Sequence, residues 1–155
     1  MTDAAANGYS LDDSRLIRQC RDWQVENGLP TFQAFLFPQG KHTLSFSWLE
    51  KICIELGVEP NIDTAISELE KSPPLTPEPG FMWAVLSVEE INRAVKKGTG
   101  TLPKIEPDPT DNDPAHVLVW GWKHCSRKAR KKVAQYLASK LTAHNTRDWP
   151  VTPQN

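Results

Sequence analysis

The residue best suited to covalent chemistry in this 155-residue chain is Cys125. Lys123, His124 and Arg127 surround it in sequence, and neighbouring cations favour the thiolate, which is the nucleophilic form of cysteine. Consecutive residues such as His124 and Cys125 usually point in different directions, however, and no Asn or Asp that would orient the histidine is identifiable. An incidental turn cysteine is therefore the favoured interpretation, and a small enzyme that uses Cys125 or His116 is kept as a second alternative.

His116 is a candidate for acid–base chemistry, because it lies at the start of a predicted strand directly after an acidic stretch, where a carboxylate can pair with it. A capping or hydrogen-bonding histidine is the commoner role. His42 lies in a predicted turn, and no HxxxH or HExxH motif connects it to a metal site. The three cysteines, Cys20, Cys53 and Cys125, contain no CxxC pair. We therefore expect no metal, no cofactor and no disulfide framework, and we assign no catalytic residue.

A strongly basic segment near the C-terminus is the clearest physical signal in the sequence. Residues 123–140 contain seven Lys or Arg and no acid, whereas the whole chain carries a net charge of −1, which leaves −8 for the remainder. Several of these cations fall in the first turns of a predicted helix, where the helix dipole favours acids, so local helix stability does not explain them. We predict that this segment binds a partner. The predicted binding residues are Lys123, Arg127, Lys128, Arg130, Lys131 and Trp122.

Three interpretations of the basic helix remain open. Its cations could simply be solvated, or could pair with the acidic stretch at residues 106–113 of the same chain. Alternatively they contact an acidic surface of a partner protein, or nucleic-acid phosphates beside stacking residues such as Trp122 and Tyr136. The pI of about 6.4 is low for a nucleic-acid-binding domain. The leading hypothesis is a non-enzymatic protein that binds an acidic protein surface, with a nucleic-acid-associated protein as the first alternative.

Length and composition indicate one globular domain. With 39% hydrophobic residues, the chain can bury a core without disulfide or metal support. No apolar run approaches the roughly 18 residues of a membrane span, and the N-terminus is polar and acidic, unlike a secretory signal. We therefore expect a cytoplasmic protein without membrane contacts. We assign residues 1–9 to a flexible leader, 10–144 to the domain and 145–155 to a loosely held tail.

The spacing of apolar residues predicts the elements that must position these groups. The first half is predicted to hold a helix from Ser10 or Asp12 that ends at Asn27-Gly28, a hairpin of strands at 30–38 and 43–46, helices at 48–56 and 63–71, and an extended connector at 72–80. The second half is predicted to hold a strand at 81–86, a helix from Ser87 to Gly98, an extended connector at 99–114, a strand at 115–120 and a helix from Ser126 to Leu141. This order predicts an α+β fold, with a small antiparallel or mixed sheet of about four strands packed with about four to five helices.

Four short motifs follow one another along the chain in a distinctive order. They are Gly28 followed by Thr31, Gln33, Ala34 and Phe35; Leu44, Ser45 and Phe46; Val85, Val88 and Glu89; and His116, Val117, Leu118 and Val119 before the basic helix. In this order the chain resembles a group of short uncharacterised bacterial proteins, over most of residues 21–141. The resemblance brings no assigned activity.

That resemblance implies a compact bacterial accessory protein. Combined with the basic helix, it leads to the hypothesis of a toxin-neutralising or defence-associated partner protein. It also marks Thr31, Gln33 and His116 as a polar cluster to test. The alternative is that these three residues form a structural hydrogen-bond set that joins the first hairpin to the last strand.

Overall fold

The computed structural model describes residues 5–6, 9–71 and 80–150. Its α-helices are α1 (Leu49–Glu55), α2 (Ile62–Glu70), α3 (Val88–Thr99) and α4 (Arg127–Ala138). Its strands are β1 (Ala5–Ala6), β2 (Tyr9–Ser10), β3 (Arg15–Cys20), β4 (Val25–Glu26), β5 (Leu29–Pro30), β6 (Thr43–Trp48), β7 (Met82–Ser87), β8 (Lys104–Pro107), β9 (His116–Trp120) and β10 (Thr146–Asp148). Three 3-10 helices span Leu11–Asp13, Asp22–Gln24 and Phe32–Phe35.

A six-stranded sheet organises the molecule, in the order β10-β7-β3-β6-β9-β8. Every neighbouring pair in this sheet runs antiparallel. The predicted α+β class is therefore confirmed, and the four helices of the described residues fall within the predicted number. The sheet is larger than the predicted four strands, because β3, β8 and β10 arise from segments that were assigned to a helix, a connector and a tail.

β3 corrects the largest error of the sequence prediction. Residues from Ser10 to Gly28 do not form one helix: Arg15–Cys20 is a central strand that pairs with β7 at six positions. Leu16 and Ile17 are both buried although they point to opposite faces of the sheet. The polar Arg18 and Gln19 interrupt the apolar run by which a strand buried on both faces is recognised, and the apolar residues that remain fit one helix face.

β3 and β6 separate after only two paired positions, Leu16 with Trp48 and Ile17 with Ser47. Beyond that point β3 follows β7 and β6 follows β9, which leaves a gap between the two halves of the sheet. The side chain of Arg18 fills this gap. Its Nε donates to the Ala34 carbonyl at 2.6 Å and its Nη1 to the Ser45 carbonyl at 3.0 Å.

The two faces of the sheet are covered differently. One face carries the apolar side chains of alternate strand residues and packs with α3, α4 and the 3-10 helix Phe32–Phe35. On the other face α2 covers only the β7 end, where Trp83 Nε1 donates to Glu70 Oε2 at 2.9 Å and Arg147 Nε donates to Asp63 Oδ1 at 2.7 Å. Within the described residues, no helix covers this second face over β6, β9 and β8, and Ser45 there is exposed.

The remaining helices and strands agree well with the sequence. The predicted helices at 48–56 and 63–71 are α1 and α2, and the predicted strands at 81–86 and 115–120 are β7 and β9. α3 begins with the predicted capping box, in which the Ser87 hydroxyl accepts from the Glu90 amide and the Glu90 carboxylate accepts from the Ser87 amide. The helix ends two residues later than predicted: Gly100, at φ +84°, closes it, and Gly98 stays inside.

Gly98 has a packing role instead. A Cβ at this position would lie 2.6 Å from Val133 Cγ2 and 3.3 Å from the Val133 backbone nitrogen. α3 and α4 therefore cross at a point where only a hydrogen atom fits between them.

Three further predictions fail at the edges of the sheet. Residues 30–38 do not form a hairpin strand, because Phe32–Phe35 is a 3-10 helix and β6 pairs with β3 and β9 instead. The connector at 99–114 contains β8, which pairs with β9. The expected loose tail contains β10, which pairs with β7 and leads into the buried Trp149.

In the expected leader, β1 pairs with β2. Residues 72–79 of the predicted connector and 151–155 of the predicted tail lie outside the described residues.

Candidate partner-binding site

α4 carries most of the basic residues, and Ser126 is the capping residue that precedes it. The Ser126 hydroxyl accepts from the Ala129 amide at 3.1 Å and so caps the first turn. Val133, Ala134 and Leu137 are buried and attach the helix to the core. The predicted helix is confirmed, although it ends at Ala138. Its apolar stripe leaves the cations of the first turns at the surface.

The aromatic 3-10 helix Phe32–Phe35 packs directly against α4. Thr31 caps it, because its hydroxyl accepts from the Gln33 amide at 3.3 Å. Ala34 and Phe35 are buried in the core, whereas Phe32 and Phe37 are half-buried. The aromatic segment of residues 30–38 therefore supplies one wall of a site whose other wall is the basic helix.

A pocket of about 300 Å³ lies between these two elements, and we call it the basic pocket. Apolar side chains form its floor, and exposed cations form most of its rim. It is lined by Phe32, Phe35, Leu36, Phe37, Trp122, Lys123, Arg127, Arg130 and Lys131. Five of the six residues predicted to bind a partner thus meet around one concave feature; the sixth, Lys128, is exposed on α4 outside it.

Several cations of the rim are held in place by contacts with the protein. Lys123 Nζ donates to the Lys41 carbonyl at 2.9 Å and lies 5.6 Å from the centre of the Phe37 ring. Arg130 Nη1 donates to the Lys123 carbonyl at 2.7 Å. Lys131 Nζ lies 5.1 Å from the centre of the Phe32 ring. These contacts reduce the side-chain freedom that binding would otherwise remove.

No carboxylate of the described residues lies within salt-bridge distance of a basic side chain on α4 or of Lys123. The acidic stretch of residues 106–113 makes other contacts. Asp108 Oδ2 lies 3.1 Å from His116 Nδ1, Glu106 accepts from Trp120 Nε1 at 3.2 Å, and Asp113 accepts from the Ser47 hydroxyl. Internal pairing with this stretch therefore does not neutralise the basic helix.

The aromatic residues predicted as stacking surfaces are placed differently than expected. Trp122 is 1% exposed, so it forms the floor of the basic pocket and offers no free face. Its ring centre lies 4.7 Å from that of Phe37. Tyr136 is half-buried beneath Lys97, whose Nζ lies 4.7 Å from the ring centre.

Trp120 is the accessible tryptophan of this region. It is half-buried on the open face of the sheet, with Lys104 Nζ 4.8 Å from its ring centre and the His42 ring 6.4 Å away. A second, shallower pocket surrounds it and continues to the basic pocket through Lys123. Lys41 and His124 also line this second pocket.

The structure brings the predicted polar cluster only partly together. Thr31 donates its hydroxyl to the Gln24 carbonyl at 3.1 Å and accepts from the Gln33 amide, whereas His116 contacts Asp108. Gln33 and His116 line one groove, but no hydrogen bond joins His116 to either of the other two. These three residues therefore do not form the single hydrogen-bond set that was the alternative prediction.

Cys125 is half-buried, and its Sγ lies 3.8 Å from His124 Nε2. Within the described residues, no carboxylate or amide hydrogen bonds to the His124 ring, which is the third component that a Cys–His pair uses for orientation. No group of three or more His, Cys, Asp or Glu in the described chain is placed to hold a metal ion.

Gln33 and His116 share a large groove with a volume of about 1120 Å³. Its floor is the open face of β3, β6 and β9, and Arg18 and Gln19 of β3 line it. Sequence reasoning missed both residues because they were assigned to a helix. Burial lowers the pKa of Arg18 from its ordinary value and raises that of the neighbouring Cys20 to about 12.

None of the helices in the described part of the chain is both long and apolar enough to cross a membrane. No family model, curated protein or solved structure matches this chain.

Proposed function

We propose that this protein is a non-enzymatic interaction protein that binds an acidic segment of a partner protein in the basic pocket. The observation that carries the proposal is the meeting of Lys123, Arg127, Arg130 and Lys131 around an apolar floor, with no carboxylate of the described chain beside them. Cations at the rim complement acidic side chains, and the floor accepts an apolar one.

The shape of the pocket specifies the kind of segment that fits. A volume of about 300 Å³ accommodates one large apolar side chain, such as leucine or phenylalanine, but no folded domain. The flanking cations then lie near the residues before and after that anchor. The partner is therefore expected to present one apolar residue between acidic residues on an exposed segment. A toxin-neutralising or defence-associated role in a bacterial cytoplasm is one setting that this mode of binding suits.

Fluorescence anisotropy with labelled peptides tests the proposal. The probe is Glu-Glu-Glu-Leu-Glu-Glu-Glu, and its matched control replaces the central leucine with glycine. We expect the leucine peptide to bind more tightly than the glycine peptide. We also expect the pair Arg127→Glu and Lys131→Glu to weaken its binding by about tenfold or more.

The control variant carries Lys132→Glu and Lys140→Glu, which make the same charge change on exposed residues of the C-terminal segment outside the pocket. It should lose far less affinity than the pocket variant. Equal losses would show that only net charge matters, and equal binding of the two peptides would show that the apolar floor is not used. Either result contradicts the proposal.

Nucleic acid is the second candidate, and the surroundings of Trp120 favour it. An accessible aromatic ring beside Lys41, Lys104 and Lys123 is the arrangement that single-stranded nucleic acids use for stacking and phosphate contact. A labelled oligothymidylate tests this alternative. Binding that falls steeply with salt and that Trp120→Ala reduces by about tenfold would support it. If Trp120→Ala leaves oligothymidylate binding unchanged, stacking at this position is excluded.

A further inference from the structure

A buried cation without a counter-ion lies in the gap between β3 and β6 and lines the groove on the open face of the sheet. Arg18 is 9% exposed, and none of its nitrogen atoms contacts a carboxylate within the described residues. Its two hydrogen bonds use Nε and Nη1 and end on backbone carbonyls. Nη2 makes no hydrogen bond to the described protein. A guanidinium group has five N–H donors, so three remain for a ligand.

A second unused donor lies beside it in the sequence. Gln19 Nε2 is buried and is the one buried side-chain nitrogen or oxygen among the described residues without a hydrogen-bond partner. Gln19 and Arg18 are consecutive in β3 and leave the strand towards opposite faces, so they reach the groove differently. Gln19 lines it from the open face, and Arg18 lines it from the gap between β3 and β6, where it contacts Ser45. Buried polar groups are almost always paired, and an unpaired one destabilises the fold by about 1–3 kcal/mol. The buried, unpaired Gln19 donor, with the unused Arg18 donors bordering the same groove, therefore indicates an acceptor that arrives from outside.

The charge of the groove also favours an anion. Arg18, Arg21 and Lys41 line it, and Asp113 is the one carboxylate among its lining residues. Asp113 already accepts from the Ser47 hydroxyl and from the Ala115 amide at 3.1 Å. Among the described residues it forms no salt bridge with Arg18.

We infer that this groove is a binding site for a carboxylate that carries an apolar group, with the carboxylate on Arg18 and Gln19. One deeply buried cation matches a single negative charge, whereas a phosphate dianion would leave excess charge in a buried place. The apolar lining residues Leu36, Phe37 and Leu118 then contact the rest of the ligand. Two sources share this chemistry, a free organic acid and the C-terminal carboxylate of a peptide.

The inference is independent of the proposed partner-binding function, since Arg127, Arg130 and Lys131 do not line the groove. Loss of peptide binding at the basic pocket would therefore leave it untouched.

Calorimetric titration of the full chain tests the inference. The probes are 3-phenylpropanoate, its uncharged amide 3-phenylpropanamide, the peptide acid N-acetyl-glycyl-phenylalanine and inorganic phosphate. We expect saturable binding of at least one of the two carboxylates and none of the amide. Tighter binding of the peptide acid would identify a peptide terminus as the source, and tighter binding of 3-phenylpropanoate a free organic acid; both outcomes support the site.

Gln19→Leu is the decisive variant. It removes an unpaired buried donor, so the folded protein without ligand should be as stable as wild type or more stable. Binding of the carboxylate should nevertheless weaken by about tenfold or more, the factor that one hydrogen bond to a charged group contributes. Gln135→Leu, the same change at an exposed position of α4 outside the groove, should leave binding unchanged.

A nuclear magnetic resonance titration locates the ligand without any change to Arg18, whose replacement removes two structural hydrogen bonds. The Nε–H resonance of Arg18 and the side-chain amide resonances of Gln19 should move with 3-phenylpropanoate. Three results would overturn the inference: neither carboxylate saturates, Gln19→Leu binds like wild type, or phosphate binds with the same dependence on Gln19 while both carboxylates fail.

Discussion

At the scale of single residues, several positions have roles that their residue type alone does not reveal. Gly98 has helical backbone and lies inside α3, where alanine would ordinarily be the better helix former. Its contact with Val133 reverses that preference, because a methyl group would overlap the neighbouring helix. Arg18 likewise looks like a surface cation in the sequence, yet it closes a gap in the sheet from a buried position.

Gly98→Ala should destabilise the protein by about 1–3 kcal/mol, the usual cost of forcing an extra group into a packed core. Helix propensity alone would predict a gain of about 1 kcal/mol, so the sign of the change decides which effect is larger. Urea unfolding measures the difference. In a Val133→Ala background the clash partner is gone, and there Gly98→Ala should cost clearly less. The same cost in both backgrounds would exclude this contact as the cause.

The buried thiol of Cys20 gives a prediction about alkaline pH. Burial raises its pKa from 9.0 to about 12, so the folded state holds this proton more tightly than the unfolded state does. The resulting stabilisation is complete below pH 9 and is lost as the pH rises from 9 towards 12. The free energy of unfolding should therefore fall less steeply over this range in Cys20→Ala than in wild type. Parallel pH profiles of the two proteins would contradict it.

The three thiols should also differ in reactivity. Cys20 and Cys53 are buried, and desolvation by burial raises the pKa of both, whereas Cys125 is half-buried. Alkylation with iodoacetamide at pH 8 should therefore modify Cys125 first in the native protein and all three thiols in denaturant. Peptide mass spectrometry identifies the modified residue, and Cys125→Ser should remove the fast phase. Rapid modification of Cys20 in the native state would contradict the observed packing.

At the scale of elements, the sequence predicted those whose apolar residues either recur at helical spacing or form an uninterrupted run. α1, α2, α3 and α4 each have an apolar stripe at helical spacing, and β7 and β9 are apolar runs of strand length. β3 was not predicted because Arg18 and Gln19 interrupt its apolar run, so Leu16, Ile17 and Cys20 were interpreted as one face of a helix. β8 and β10 are short, polar edge strands, which tertiary pairing creates without a hydrophobic pattern.

The candidate site likewise has a part that the sequence predicted and a part that it did not. The cations of the basic pocket were visible as a charge run, and five of the six predicted residues do meet there. Its aromatic wall was not predicted to face α4, because residues 30–38 were assigned to a strand. The groove donors Arg18 and Gln19 were missed together with β3, since only the folded sheet places them in one cleft.

β10 should depend on burial of an aromatic side chain much more than on its surface ion pair. Trp149 is 8% exposed, and its ring centre lies 5.5 Å from that of Trp83. Trp149→Ala should cost about 3 kcal/mol or more. Arg147→Ala breaks a partly exposed contact with Asp63 and should cost about 1 kcal/mol or less. Chemical denaturation of both variants gives the comparison, and similar costs would show that the terminal strand is held by charge.

At the scale of the whole molecule, charge is separated between one basic region and an acidic remainder. Net charge alone does not describe such a surface, because a partner meets a positive potential on one side of the protein and a negative potential on the other. The basic pocket therefore offers an oriented field to an acidic segment before contact is made. Positively charged groups near Trp120 extend the same region towards the open face of the sheet.

Binding of the acidic leucine peptide should consequently depend on salt mainly through its association rate. Raising the ionic strength from 50 to 500 mM screens the approach of the two charged molecules over distances beyond about 5 Å. The association rate should fall by about tenfold, and dissociation, which depends on the seated leucine, should change much less. Stopped-flow anisotropy separates the two rates. A salt effect confined to dissociation would contradict steering by the basic region.

The early separation of β3 from β6 has a consequence for how the fold opens. Only two paired positions connect the half that contains β10, β7 and β3 to the half that contains β6, β9 and β8. Slow backbone amides exchange their protons with solvent through openings of cooperative units, and a narrow junction is where two such units divide. In heavy water the amides of the two three-stranded halves should therefore exchange as two groups with different rates. Arg18 connects the two halves through its hydrogen bond to the Ser45 carbonyl. A ligand that engages Arg18 would bring the two groups of rates closer together.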